Sequence, residues 1–188
     1  MPDLALPEKL SILMSLAADD RESASDPRPL PPRLRNAGAA PVLAPLNIRN
    51  LRVGSGRRRL LRILMTNACS FNCRYCPMRR DRNLPRTLLK PAELVRIFLG
   101  ALRKGWCDGL FVTTGIPGRP VKVMDDLIEA LELIRERDGF GGYIHVKIVP
   151  GADAEQIARV TRLATRVSVN LEAPCGQSLA SIAPEKSF

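Results

Sequence analysis

From residue 60 onward the chain alternates between two spacings of apolar residues. Residues 60–66 form a short apolar run of strand length, and 92–104 then carry Leu94, Phe98, Ala101 and Leu102 along one helical face. A strand at 109–114 follows. A helix at 125–138 buries Leu127, Ile128, Leu131 and Ile134 and leaves Asp126, Glu129, Glu132 and Glu136 in water. The pattern repeats with a strand at 143–149, a helix at 153–164, a strand at 167–172 and the start of a helix at 178–183. Strands that alternate with helices predict a parallel sheet with helical crossovers, an α/β fold.

Two strands depart from the continuous apolar pattern of a strand covered on both faces. Tyr143, His145 and Lys147 alternate with Ile144, Val146 and Ile148, and Ser168, Asn170 and Glu172 alternate with Val167, Val169 and Leu171. The apolar sets pack under helices, and the polar sets line either a cavity or the wet face of an open sheet. Inward polar groups need partners, which favours the cavity. Lys147, Asn170 and Glu172 fall at the C-terminal strand ends, where barrel sites collect.

Upstream the pattern changes twice. Residues 1–20 hold an amphipathic helix over 6–18, with Leu6, Leu10, Leu13, Met14 and Ala17 at helical spacing. Residues 21–58 carry Pro27, Pro29, Pro31, Pro32, Pro41 and Pro45 among many arginines and predict a loosely ordered, surface-draped connector. Residues 59–188 are the α/β unit. Its four strands and three full crossover helices predict an incomplete (β/α) barrel, truncated after the fourth strand, which leaves an open sheet edge.

Composition narrows the class. Of 188 residues, 45% are apolar and 26% charged, a soluble globular balance that excludes collagen, a coiled coil and full disorder. No run approaches the roughly 18 apolar residues of a membrane span. Asp3, Glu8 and Lys9 interrupt any export signal, so the expected compartment is the cytoplasm, where cysteines serve as metal ligands or free thiols. The net charge of +10 is mostly arginine, with Arg57, Arg58, Arg59 and Arg62 in one cluster and Arg74, Arg79, Arg80, Arg82 and Arg86 in another. These read either as a solvated surface or as a phosphate-binding rim around the cysteine loop. Only Phe71 and Tyr75 lie nearby to stack on bases, so the pattern supports charge attraction and not base reading.

The cysteines decide the chemistry. Cys69, Cys73 and Cys76 follow the first strand at spacings of three and two residues, while Cys107 and Cys175 stand alone. Three thiolates on one loop hold three corners of an iron–sulfur cube, and with no fourth cysteine nearby one iron stays open to a ligand. Structural zinc is the rival. Its fourth ligand would come from Cys107, Cys175 or His145, each distant in sequence. Cys107 and Cys175 read as passive thiols and His145 as a hydrogen-bonded interior residue. Lys147 as a Schiff-base lysine would leave the cysteine loop without a role.

The loop Cys69-Ser-Phe-Asn-Cys73-Arg-Tyr-Cys76, with Tyr75 before the last cysteine, resembles the signature of radical S-adenosylmethionine (radical SAM) enzymes. Residues 60–67, Leu84-Pro85-Arg86, 109–115, 142–147, 149–152 and 168–172 further resemble a branch assigned to DNA modification or repair. The resemblance implies a partial (β/α) barrel, a [4Fe–4S] cluster on Cys69, Cys73 and Cys76, and S-adenosylmethionine on its open iron. Reductive cleavage would yield methionine and a 5′-deoxyadenosyl radical. Cofactor contacts carried over by position are Tyr75 at the adenine, Thr113, Thr114 and Gly115 at the amino group, Lys147 at the carboxylate, and Asn170 and Glu172 at the ribose or carboxylate. Two glycines and a glutamate are more usual where Thr113, Thr114 and Gly115 stand. The implied partners are DNA, met through the arginine rim, and a reductant protein such as flavodoxin or ferredoxin. The alternatives are a basic nucleic-acid- or zinc-binding module and an inactive truncated relative.

Overall fold

The computed structural model describes residues 4–17, 46–53 and 56–187. Helix α1 (Leu6–Ala17) precedes a five-stranded sheet made of β1 (Ile48–Val53), β2 (Gly56–Leu64), β3 (Gly109–Thr113), β4 (Tyr143–Lys147) and β5 (Arg166–Ser168). The strands lie in sequence order; β1 runs antiparallel to β2, and the rest are parallel. Helices α2 (Pro91–Arg103), α3 (Pro120–Glu132) and α4 (Ala154–Leu163) connect the parallel strands, and α5 (Gly176–Ile182) follows β5. Among the described residues, no helix is long and apolar enough to cross a membrane.

The alternation read from the sequence sorts the sheet into two faces. Leu61, Ile63, Leu110, Val112, Ile144 and Val146 join the main core with Leu94, Phe98, Met124, Leu127, Ile128 and Val160 of the crossover helices. On the opposite face, Arg62, Phe111, His145 and Arg166 share one register row. Leu60, Phe111 and Tyr143 form a small separate cluster there. Helix α1 belongs to the main core through Leu10, Leu13 and Met14, and Lys9 reaches Glu93 on α2 at 2.9 Å.

Helix boundaries follow local chemistry. Pro91 and Pro120 occupy the first turns of α2 and α3, where a missing N–H is harmless. Asp153 caps α4 by accepting from the Gln156 N–H, and Gln156 returns a contact in a capping box. The end of α3 widens into a π-turn over Leu133–Arg137, and Arg135 on it donates to the carbonyls of Leu163 (2.7 Å) and Gly142 (2.8 Å).

Two expectations are corrected. The connector over 21–58 was expected to be loose to its end, but its last part is the β1–β2 hairpin. All six prolines cited for it lie at or before Pro45, so nothing in 48–58 blocks strand pairing; residues 18–45 lie outside the described residues. The strand expected over 167–172 stops at Ser168. Its partner β4 leaves the sheet ahead of Pro150, so β5 has no ladder beyond its third residue. Val169 and Leu171, expected under a helix, are instead 57% and 68% exposed.

Helix α1 is an integral part of the core rather than an appendage. Leu13 is fully buried, and Leu13→Ala is expected to lower stability by about 2–5 kcal/mol in urea denaturation. A loss under 1 kcal/mol would show that α1 docks weakly.

Candidate functional site

The site grows from the end of β2. Thr66 and Asn67 turn the chain out of the sheet, and their side chains take over the pairing that the strand gives up. The Thr66 hydroxyl donates to the Thr87 carbonyl at 2.7 Å and accepts from the Ala68 N–H at 3.1 Å. The fully buried Asn67 amide donates to the Pro85 carbonyl at 2.7 Å and accepts from the Thr87 N–H at 2.8 Å. Between them the loop is drawn around Arg86, whose guanidinium donates to the carbonyls of Asn67 (2.6 Å), Met78 (2.8 Å), Arg79 (2.7 Å) and Arg82 (2.9 Å).

The end of β3 holds the other side of the loop. The Ser70 N–H donates to the Ile116 carbonyl at 2.8 Å, and the Gly115 N–H to the Thr66 carbonyl at 2.7 Å. A Cβ at position 115 would lie 2.2 Å from the Ala68 carbonyl oxygen, so only glycine allows this approach.

These contacts open a cavity of about 680 Å³, within the size range of cofactor pockets. Cys69, Cys73, Tyr75, Cys76, Thr113, Thr114, Gly115, Lys147, Asn170 and Glu172 all line it. Sequence reasoning missed Lys186, which also lines it. Its ammonium donates to Glu172 Oε1 at 2.8 Å and to the Tyr75 hydroxyl at 3.2 Å. No periodicity marks Lys186, because it follows the last helix in an irregular turn. Asn170 and Glu172 reach the cavity from the segment after β5 and not from a strand, and Glu172 has a left-handed backbone (φ 67°). A non-glycine residue there stores strain on the order of 1–3 kcal/mol.

Electrostatics follow from burial. Burial of Cys73 and Cys76 pushes both thiols up, and the Lys186 charge opposes it. Burial also works to raise Glu172, but hydrogen bonds from Lys186 and Tyr75 and the Lys186 charge bring its carboxyl below the usual range.

The remaining candidates fall elsewhere. Cys107 is 2% exposed in the main core, with its thiol pushed up to about 11 by burial and by Asp108. Cys175 is exposed and its sulfur lies 3.3 Å from the Ser178 hydroxyl. His145 is buried on the inner face of the sheet, with Nε2 2.8 Å from the Ser168 hydroxyl and its ring edge-on to Phe111.

The donor chemistry fits an iron–sulfur cluster. Three soft thiol donors sit on one clamped loop and face one cavity. Among the described residues, no group of three or more His, Cys, Asp or Glu side chains is pre-arranged around a metal ion, the three thiols included, so the choice between iron–sulfur and zinc rests on the donor set. The expected fourth zinc ligands are misplaced, since Cys107, Cys175 and His145 do not line the cavity.

An α/β protein whose parallel strands end in a three-thiol cavity is the class that fold and site define. The chain belongs to the radical SAM superfamily, whose family model matches residues 63–183. Among solved structures it is similar to the [FeFe]-hydrogenase maturase HydG, at 20% identity and a TM-score of 0.54, covering 66% of this chain and 28% of that one. HydG from Carboxydothermus hydrogenoformans is similar at 22% identity and a TM-score of 0.55, covering 65% and 28%. These likenesses bear on the fold alone, and the chain spans under a third of those maturases. No curated protein matches the sequence.

His145 supplies a pH test of the inner face. Burial, then Arg166, Lys147 and Arg62, lower its pKa from 6.5 to about 4. The unfolded chain therefore binds more protons between these values, and the stability gained from neutral His145 is lost as pH falls from 6.5 towards about 4. Denaturation midpoints should fall across that window in the native chain, and His145→Gln should remove this part of the slope. An unchanged slope in the variant would overturn the assignment.

Proposed function

We propose that Cys69, Cys73 and Cys76 hold a [4Fe–4S] cluster, that S-adenosylmethionine binds beside it, and that the chain serves as a radical enzyme in DNA modification or repair. One observation carries the cofactor reading: the three cysteines and every residue expected at the cofactor line the same cavity. A reduced cluster with S-adenosylmethionine supplies a 5′-deoxyadenosyl radical for hydrogen abstraction.

The protein's part is placement and exclusion of water. Leu16, Leu64, Phe71, Met78, Ile116 and Val149 form the apolar walls. Lys147 brings positive charge suited to a carboxylate, while Glu172 offers acceptors to hydroxyls. Thr113, Thr114 and Gly115 are the residues that would receive the amino group, and Tyr75 the adenine. A reductant protein such as flavodoxin or ferredoxin would deliver the electron.

The DNA reading rests on arginines beside the cavity, and the structure trims the expected rim. Arg59 is held by Asp108 at 2.6 Å. Arg62 is buried, with its guanidinium 4.6 Å from the Phe111 ring centre. Arg86 clamps the loop, and Arg80 lies 3.7 Å from Glu185. Arg57 and Arg58 sit at the start of β2, the opposite end from the cysteines. Arg74, Arg79 and Arg82 remain on the cysteine loop, with Arg74 and Arg82 exposed.

Anaerobic reconstitution with iron and sulfide should give brown protein with broad absorbance near ~400 nm, and reduction with S-adenosylmethionine should release 5′-deoxyadenosine. Cys73→Ala should abolish the colour. Tight zinc uptake without iron would reject the enzyme reading, and a cluster without cofactor cleavage would favour an inactive relative.

DNA affinity measured across salt tests the trimmed rim. Three phosphate contacts predict a loss of about 40-fold between about 50 and 200 mM salt, against roughly a thousandfold for six. Salt-independent or absent binding would reject the DNA role.

A further inference from the structure

The segment after β5 returns to the cysteine loop and closes one side of the cavity. The Arg74 N–H donates to the Ile182 carbonyl at 2.8 Å, and the Asn72 N–H donates to Glu185 Oε2 at 3.1 Å. Cys73 packs with Leu179 and Ala183 in a small apolar cluster. This wall therefore touches the loop through backbone, side-chain and apolar contacts, all within the stretch that carries the thiols.

Lys186 is where the wall meets the cavity. Its side chain and that of Glu172 are 12% and 13% exposed, so their ion pair is shielded from solvent far more than a surface pair. The same ammonium donates to the Tyr75 hydroxyl, between Arg74 and Cys76. Glu172 stands in a left-handed backbone conformation that does not favour glutamate, so an external contact must hold it there. Lys186 is the side chain that supplies the short one.

We propose that Lys186 is a positioning residue of the cofactor cavity: it fixes the Glu172 carboxylate and the Tyr75 ring against the ligand and fastens the α5 segment over the cysteine loop. The inference rests on the reading that the cavity takes S-adenosylmethionine, and it adds a residue to that site. Lysine suits the task because one ammonium donates to two oxygens at once. Methionine fills similar space without donating, and arginine keeps the charge.

The test compares wild type, Lys186→Met and Lys186→Arg. Hydrogen exchange of the iron-free chain reads the wall directly, and amides in residues 70–76 should exchange faster in Lys186→Met and recover in Lys186→Arg. Titration of reconstituted protein with S-adenosylmethionine reads the positioning. Lys186→Met should take up the same iron yet bind the ligand about tenfold more weakly, the scale of one charge-assisted hydrogen bond, with partial recovery in Lys186→Arg. Faster exchange with ligand affinity within twofold of wild type would overturn the proposal and leave a plain structural strap. Unchanged exchange would also overturn it. Should Lys186→Met fail to fold, Lys186→Gln, which keeps a polar side chain but loses the charge that pairs with Glu172, takes its place, and the same outcomes apply. Wild type that takes up no iron and binds no S-adenosylmethionine would reject the cofactor reading itself, a result distinct from a variant that matches wild type.

Discussion

The structure depends on how a long irregular loop is held without secondary structure of its own. Asn67 and Thr87 are twenty residues apart and share a hydrogen bond. Loops of that length in compact domains are uncommon, and their backbone groups near the sheet cannot be left unpaired. Two side chains resolve most of this. The Asn67 amide closes the base of the loop, and the Arg86 fork gathers carbonyls from four residues along it. Lysine could not replace that arginine, because a single ammonium lacks the planar, multi-donor reach. The positions of Cys69, Cys73 and Cys76 are thus set by a residue well outside their own spacing.

The loop is then fitted to the sheet from two further sides. On one, Gly115 lets the end of β3 approach the Ala68 backbone closer than any side chain would permit. On the other, the segment after β5 supplies Glu172, Lys186 and the apolar contacts to Cys73. The cavity is therefore assembled from three consecutive consequences of a parallel sheet. Strands end at one edge, each ends in a turn, and the turns face one another. The inner face of the sheet below it is polar but quiet. Arg62 stacks on Phe111, Phe111 meets His145 edge-on, and His145 bonds Ser168.

Much of this was legible in the sequence, for identifiable reasons. Helices α2, α3 and α4 have apolar stripes that periodicity reads directly, and the cysteine spacing pointed to a loop that the structure brings to the cavity. Strand alternation placed Lys147, Asn170 and Glu172 towards the cavity, although the last two reach it from the segment after β5, and the family resemblance supplied Tyr75, Thr113, Thr114 and Gly115. What escaped were features set by tertiary context. The β1–β2 hairpin hid among arginines that read as loop. The early end of β5 follows from its partner turning away before Pro150, which no local property of Val169 or Leu171 reports. Lys186 and Arg86 are single cations whose roles come from where the chain returns, and a one-dimensional pattern carries no such signal.

The net charge of +10 illustrates the same limit. Read along the sequence, it gathers in two arginine clusters that suggest a solvated surface or a phosphate-binding rim. In the fold, several arginines act as internal donors: Arg86 to loop carbonyls, Arg135 to the Gly142 carbonyl just before β4 and the Leu163 carbonyl at the end of α4, and Arg59 to Asp108 and the Gly105 carbonyl at 2.8 Å. A guanidinium with five donors can satisfy several backbone acceptors where helix and sheet pairing run out. An arginine excess in a chain of long loops is therefore partly a hydrogen-bonding requirement. The field available to a partner comes only from those left outward, which is why the residues flanking the cysteines, and not the total, bear on any anionic substrate.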